Sequence, residues 1–148
     1  MMRRIFAALI FVVLFAISSP LLAANKATAR ILWTATPFHG VSVVTALVDG
    51  KSAVPFFSLN LGNKIDVAAG THSFLLSASF PRGFLRGLGV GKATVKANLA
   101  AGGTYQSVGA ASGDLITVWL IDVKSGQRIS SVGSVKYSVC TPGAYTVC

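Results

Sequence analysis

The chain has 148 residues, with 13 Lys and Arg against 4 acids, a formal charge of +9 and no glutamate. That length suits one domain with a genuine core and is too short for two. No linker, coiled coil or low-complexity block interrupts it, and two cysteines and two histidines leave little for a metal or redox centre.

Arg3 and Arg4 precede an uninterrupted apolar run, Ile5–Ile17, which Ser18, Ser19 and Pro20 break before Leu22-Ala23-Ala24. Basic, apolar and small-residue segments in that order read as a secretory signal-peptide helix over 1–24, cleaved near Ala24. The run falls short of the roughly 20 apolar residues of a spanning helix. Leu22 is bulky for its place before the cleavage site, so an uncleaved anchor is the alternative. Neither cysteine lies near the run, which excludes a lipid-anchored cysteine. The expected location is the periplasm or cell surface. Removing Arg3 and Arg4 takes the formal charge from +9 to +7. A basic exported surface favours anionic partners: lipid headgroups, wall polymer or an acidic envelope protein, with no nucleic acid expected. The plainer alternative is that the charge only aids solubility.

From residue 25 onwards Val, Thr, Ser, Gly and aromatic residues dominate, and turn signals recur at the spacing of an all-β sandwich or barrel. Ala29–Thr36 reads as a strand, broken by Pro37-Phe38-His39-Gly40. Val41–Val48 is a second, closed by the hairpin signal Asp49-Gly50-Lys51. Phe56–Leu61 is a short third, and Lys64–Val67 leads into the clearest element. There Ala69-Gly70-Thr71 turns the chain into a strand with Phe74, Leu76, Ala78 and Phe80 on one face and Ser73, Ser77 and Ser79 on the other. Pro81–Gly91 has no clean period. Lys92–Leu99 restores alternation, with Ala93, Val95, Ala97 and Leu99 inward and Thr94, Lys96 and Asn98 outward. After Gly102-Gly103, Tyr105–Ala110 is a strand. Leu115–Val123 reads as a central strand covered on both faces. Lys124-Ser125-Gly126 turns into a strand over Gln127–Val132. Val135–Val139 and Tyr145–Val147 flank Thr141-Pro142-Gly143, so Cys140 and Cys148 read as a disulfide on one face of a hairpin tail.

Arg82, Phe84, Leu85, Arg86, Leu88 and Lys92 form the candidate binding site. They read as a projecting basic and apolar loop whose cations meet anionic headgroups while Phe and Leu enter the acyl boundary. The alternative is a plain strand connection. Gly87-Leu88-Gly89-Val90-Gly91-Lys92 ends in Gly-Lys, but Arg86 and Ala93 stand where a P-loop needs Gly and Ser or Thr, so no nucleotide is expected. His39 and His72 lack metal-ligand spacing, so no metal is expected. His72 has the parity of Phe74 and should pack at the mouth of the core, while Asp49 and Asp122 should bond backbone N–H groups at turns. No serine lies in a Gly-x-Ser-x-Gly elbow, so no catalytic residue is assigned. Trp33, Phe74, Tyr105 and Trp119 read as core rather than as a sugar platform.

Val48-Asp49-Gly50-Lys51, Ala69-Gly70-Thr71-His72, Ala100-Ala101-Gly102-Gly103-Thr104-Tyr105 and Ile121-Asp122-Val123-Lys124-Ser125-Gly126 occur in an order that resembles a group of small bacterial envelope proteins. These are often lipoproteins, classed as domains of unknown function and similar to transthyretin-like and carboxypeptidase-regulatory-like β-sandwiches. The resemblance covers residues 30–131 and implies a non-catalytic module; the missing lipobox cysteine and the tail 132–148 depart from it. The expectation is therefore an all-β chain: a single antiparallel β-sandwich of roughly seven to nine strands over 25–131, then a stapled tail. Neither a cofactor nor enzymatic activity is expected. A secreted hydrolase or hydrolase inhibitor acting in the envelope is the alternative.

Overall fold

The computed structural model describes residues 27–33, 40–53, 64–83 and 86–140. The expected signal peptide, the strand over 56–61, Phe84, Leu85 and the tail beyond Cys140 lie outside these residues. The described chain is all-β, with no helix. Its strands are β1 (Thr28–Trp33), β2 (Ser42–Val48), β3 (Lys51–Ser52), β4 (Lys64–Ala68), β5 (Gly70–Pro81), β6 (Leu88–Leu99), β7 (Thr104–Ser112), β8 (Leu115–Asp122), β9 (Gly133–Lys136) and β10 (Ser138–Cys140). They form two five-stranded sheets, the first in the order β4-β1-β7-β8-β9 and the second in the order β10-β6-β5-β2-β3.

One buried cluster is shared by both sheets. The first sheet contributes Ala29, Ile31, Tyr105, Ile116, Val118 and Leu120, and the second Val43, Phe74, Leu76, Ala78, Val95, Ala97 and Leu99. The period of two in β5 and β6 produces this, since alternate side chains leave opposite faces of a strand. Phe74 and Leu76 are 0 % exposed, while the intervening Ser73, Leu75 and Ser77 are half-buried on the outer face. In β2 the register shifts between Thr45 and Leu47. This bulge adds a residue, so Thr45 faces the interior and Val48, three positions later, packs against the core as well. Asp49 (φ 49°) and Gly50 (φ 77°) make the tight β2–β3 turn that their sequence announces.

Four features depart from the linear reading. First, the pairing is not antiparallel throughout: β1 runs antiparallel to β4 and parallel to β7. Strands β2 to β6 separate β1 from β7 in sequence, so no hairpin constrains their direction. Second, 88–91 is strand rather than part of a projecting loop. Gly89 and Gly91 pair with Phe80 and Ala78, and Leu88 pairs with Pro81. The glycines take the inward positions because neighbours fill the space: an added Cβ would sit 2.3 Å from the Phe80 ring at Gly89 and 2.8 Å from Val135 at Gly91. Leu88 and Val90 are left facing outward, which inverts the apolar pattern and hides the strand.

Third, 127–132 is not a strand. It crosses from β8 to β6 through isolated bridges from Arg128 to Ile121 and from Ser130 to Ala97, and the Ile129 and Ser131 N–H groups donate to the Leu120 and Lys96 carbonyls. Fourth, 135–139 is divided at Tyr137. β9 extends the first sheet beside β8, and β10 extends the second beside β6. The chain thus changes sheets at Tyr137 and closes one side of the core, as corner strands do.

Candidate binding face

The β5–β6 turn and the outer face of the second sheet hold the described members of the expected site. Arg82 N–H donates to the Gly87 carbonyl at 3.1 Å and Arg86 N–H to that of Gly83 at 3.3 Å, so the turn is compact. The Arg82 guanidinium lies 5.4 Å from the centre of the Tyr137 ring, which packs edge-on against Phe80, and it also reaches the Arg86 carbonyl. Arg82 is thereby drawn towards the core side of the hairpin, while Arg86 stays exposed at the tip. Leu88 and Lys92 lie in β6 and face outward, with Leu88 46 % exposed.

Register places other side chains beside them. Ser77 pairs with Lys92, Ser79 with Val90, and Val90 with Ser138 across β10. Lys96 shares the outward face of β6, about 13 Å further along the strand. Sequence reading placed Lys96 outward without joining it to the site. It had no means of finding Ser138, because that contact needs the sheet change at Tyr137.

All four aspartates are engaged elsewhere. Arg30 pairs with Asp66 at 2.9 Å and Lys136 with Asp114 at 3.0 Å. The Asp122 carboxylate accepts from Ser125 N–H at 2.8 Å, as expected of a turn. Three of these carboxyl groups are held below their ordinary range: Asp66 by the Arg30 guanidinium, Asp122 by Ser125 N–H, and Asp49 by Ser73 N–H and then by His72. Among the described residues Arg86, Lys92 and Lys96 have no carboxylate partner.

His72 sits at the mouth of the core, its ring 6.1 Å from that of Phe74. Its Nδ1 lies 2.6 Å from Asp49 Oδ2, and its Nε2 donates to the Ala68 carbonyl at 2.8 Å. His72, Asp49 and Ser52 line one depression of about 310 Å3, together with Lys51 and Asp66. A carbonyl only accepts, so Nε2 is committed to Ala68 and is not placed to take a proton from a hydroxyl. The geometry is that of a clamp between the β2–β3 turn and the β4–β5 corner. Among the described residues no group of three or more His, Cys, Asp or Glu stands together as metal ligands would. Of the four aromatic residues read as core, Phe74 and Tyr105 are buried; Trp33 is half-buried, and Trp119 is half-buried opposite Val108 on the outer face of the first sheet.

No family model, no curated protein and no solved structure matches this chain. Its function has to be argued from its own residues.

Proposed function

We propose that this chain is an exported, non-enzymatic β-sandwich module of the bacterial envelope that engages an anionic surface through the β5–β6 arm. Its kinship would lie with the transthyretin-like envelope domains, and residues 1–24 would direct its export. The observation that carries this reading is the division of charge. Every aspartate is bound to a local partner, while among the described residues Arg86, Lys92 and Lys96 project from one hairpin without a carboxylate partner. Each cation attracts anions within about a Debye length, roughly 8–10 Å, and a polyanion lying along the face can meet all three. Exposed Val44 and Leu88 on the same sheet face add apolar contact.

The test is co-sedimentation of the chain, as the cell processes it, with anionic vesicles and with wall sacculi over a salt series. Salt-sensitive binding that Arg86→Gln, Lys92→Gln and Lys96→Gln together abolish is the expected result. Binding that the triple variant retains, or no binding to either surface, would overturn the reading. A hydrolase is the second reading, favoured only by the grouping of His72, Asp49 and Ser52 in one depression. It requires turnover that disappears in Ser52→Ala with the fold intact.

A further inference from the structure

A depression of about 540 Å3 opens on the outer face of the second sheet, where β5 and β6 meet β10 and the end of β9. We propose that it binds a single phosphorylated sugar unit. The inference builds on the anionic-surface reading through Lys92, and it names the chemistry recognised there.

Three hydroxyls, two ammonium groups and an aliphatic patch converge on this space. Ser77, Ser79 and Ser138 supply the hydroxyls, Lys92 and Lys136 the charge, and Val90 the apolar surface. The register fixes their spacing. Ser77 and Ser79 are two residues apart on β5, about 7 Å, and Ser79 and Ser138 stand on either side of Val90, two strand spacings or about 10 Å apart. That frame matches one pyranose ring, and the volume lies within the range of small-molecule sites. Serine hydroxyls both donate and accept, as sugar hydroxyls do, so each can pair in either sense. Val90 offers a surface for the C–H face of a ring. Among the described residues no carboxylate lines the depression. Lys136 is held by Asp114 from outside it, which leaves Lys92, beside Ser77, as the uncompensated charge for a phosphate.

A neutral sugar would leave Lys92 unmatched, and a bare anion would leave the serine frame unused. The ligand therefore carries both features. Its source is either a free sugar phosphate or a repeating unit of a phosphorylated wall polymer.

The experiment is an NMR titration of the full processed chain with glucose 1-phosphate, and separately with glucose and with inorganic phosphate. Saturable shifts at Ser77, Ser79, Val90 and Lys92 are expected, with both controls at least about tenfold weaker: glucose lacks the charge-assisted contact to Lys92, and inorganic phosphate lacks the contacts to the serines and Val90. Lys92→Gln should weaken binding about tenfold. Val90→Trp, at a half-buried outer position, should block the depression and abolish the glucose 1-phosphate shifts. Release from sacculi by excess glucose 1-phosphate would identify the polymer as the source, and binding without such release would identify the free sugar phosphate. An equal response to inorganic phosphate, unchanged affinity in both variants, or no saturation by about 10 mM would overturn the proposal. Loss of sacculus binding in the triple cation variant, with Val90→Trp still binding glucose 1-phosphate, would overturn this inference and leave the surface reading standing.

Discussion

Thr45 on β2 and Ser107 on β7 are both 0 % exposed, and their hydroxyl oxygens lie 2.9 Å apart across the gap between the two sheets. Replacing Ser107 by Ala removes one oxygen and almost no apolar surface. The Thr45 hydroxyl then loses this partner in an apolar interior, which costs about 1–3 kcal/mol. Adding Thr45→Val swaps the stranded hydroxyl for a methyl of the same shape, and most of the loss should return. The assay is a double-mutant cycle by urea unfolding, followed by the fluorescence of Trp33 and Trp119. With a slope of about 2 kcal/mol per molar urea, Ser107→Ala should lower the midpoint by roughly 0.5–1.5 M. The double variant should lie within about 0.5 M of the parent, a coupling typical of residues in contact. A double variant as unstable as the sum of its parts would refute the idea that the two hydroxyls satisfy each other.

Phe74→Ala should cost about 3–5 kcal/mol, since the ring is fully enclosed between the sheets; a loss under about 1 kcal/mol would mean that it does not face the core. Acid should destabilise the fold. Asp49, Asp66 and Asp122 have lowered folded-state values, so protons prefer the unfolded chain; the stability these groups supply is complete above the ordinary aspartate value of about 3.9 and is lost as pH falls below it towards their folded values. Urea midpoints taken from about pH 6 down to pH 2 should fall, and the fall should shrink in the triple Asp→Asn variant; a flat profile in the parent would contradict the pairings. Cys140 and Cys148 should be joined, so that denatured protein recovered from the envelope takes up no thiol reagent until it is reduced. Uptake of two equivalents without reduction would exclude the bond.

Regular alternation was legible wherever each strand carried its own core side chains. β5 and the later part of β6 follow the sequence pattern, and Asp49-Gly50 makes its turn, because side-chain period and backbone preference are local properties. The parity of His72 with Phe74 was legible for the same reason. Arg86 and Lys92 could be picked out as basic, but not how they are arranged. Leu88 and Val90 face outward because Phe80, across the hairpin, and Val135, distant in sequence, occupy the inward space at Gly89 and Gly91.

The sequence by itself determined the class of fold and the charge imbalance, since both follow from composition and period. Tertiary structure alone decided which sheet each strand joined, the parallel pairing of β1 with β7, and the sheet change at Tyr137. It alone assembled Ser77, Ser79, Lys92 and Ser138 around one depression. The physical reason is that pairing between strands distant in the chain is chosen by how two apolar faces close on each other. That choice is a property of the packed whole, and no single segment carries it.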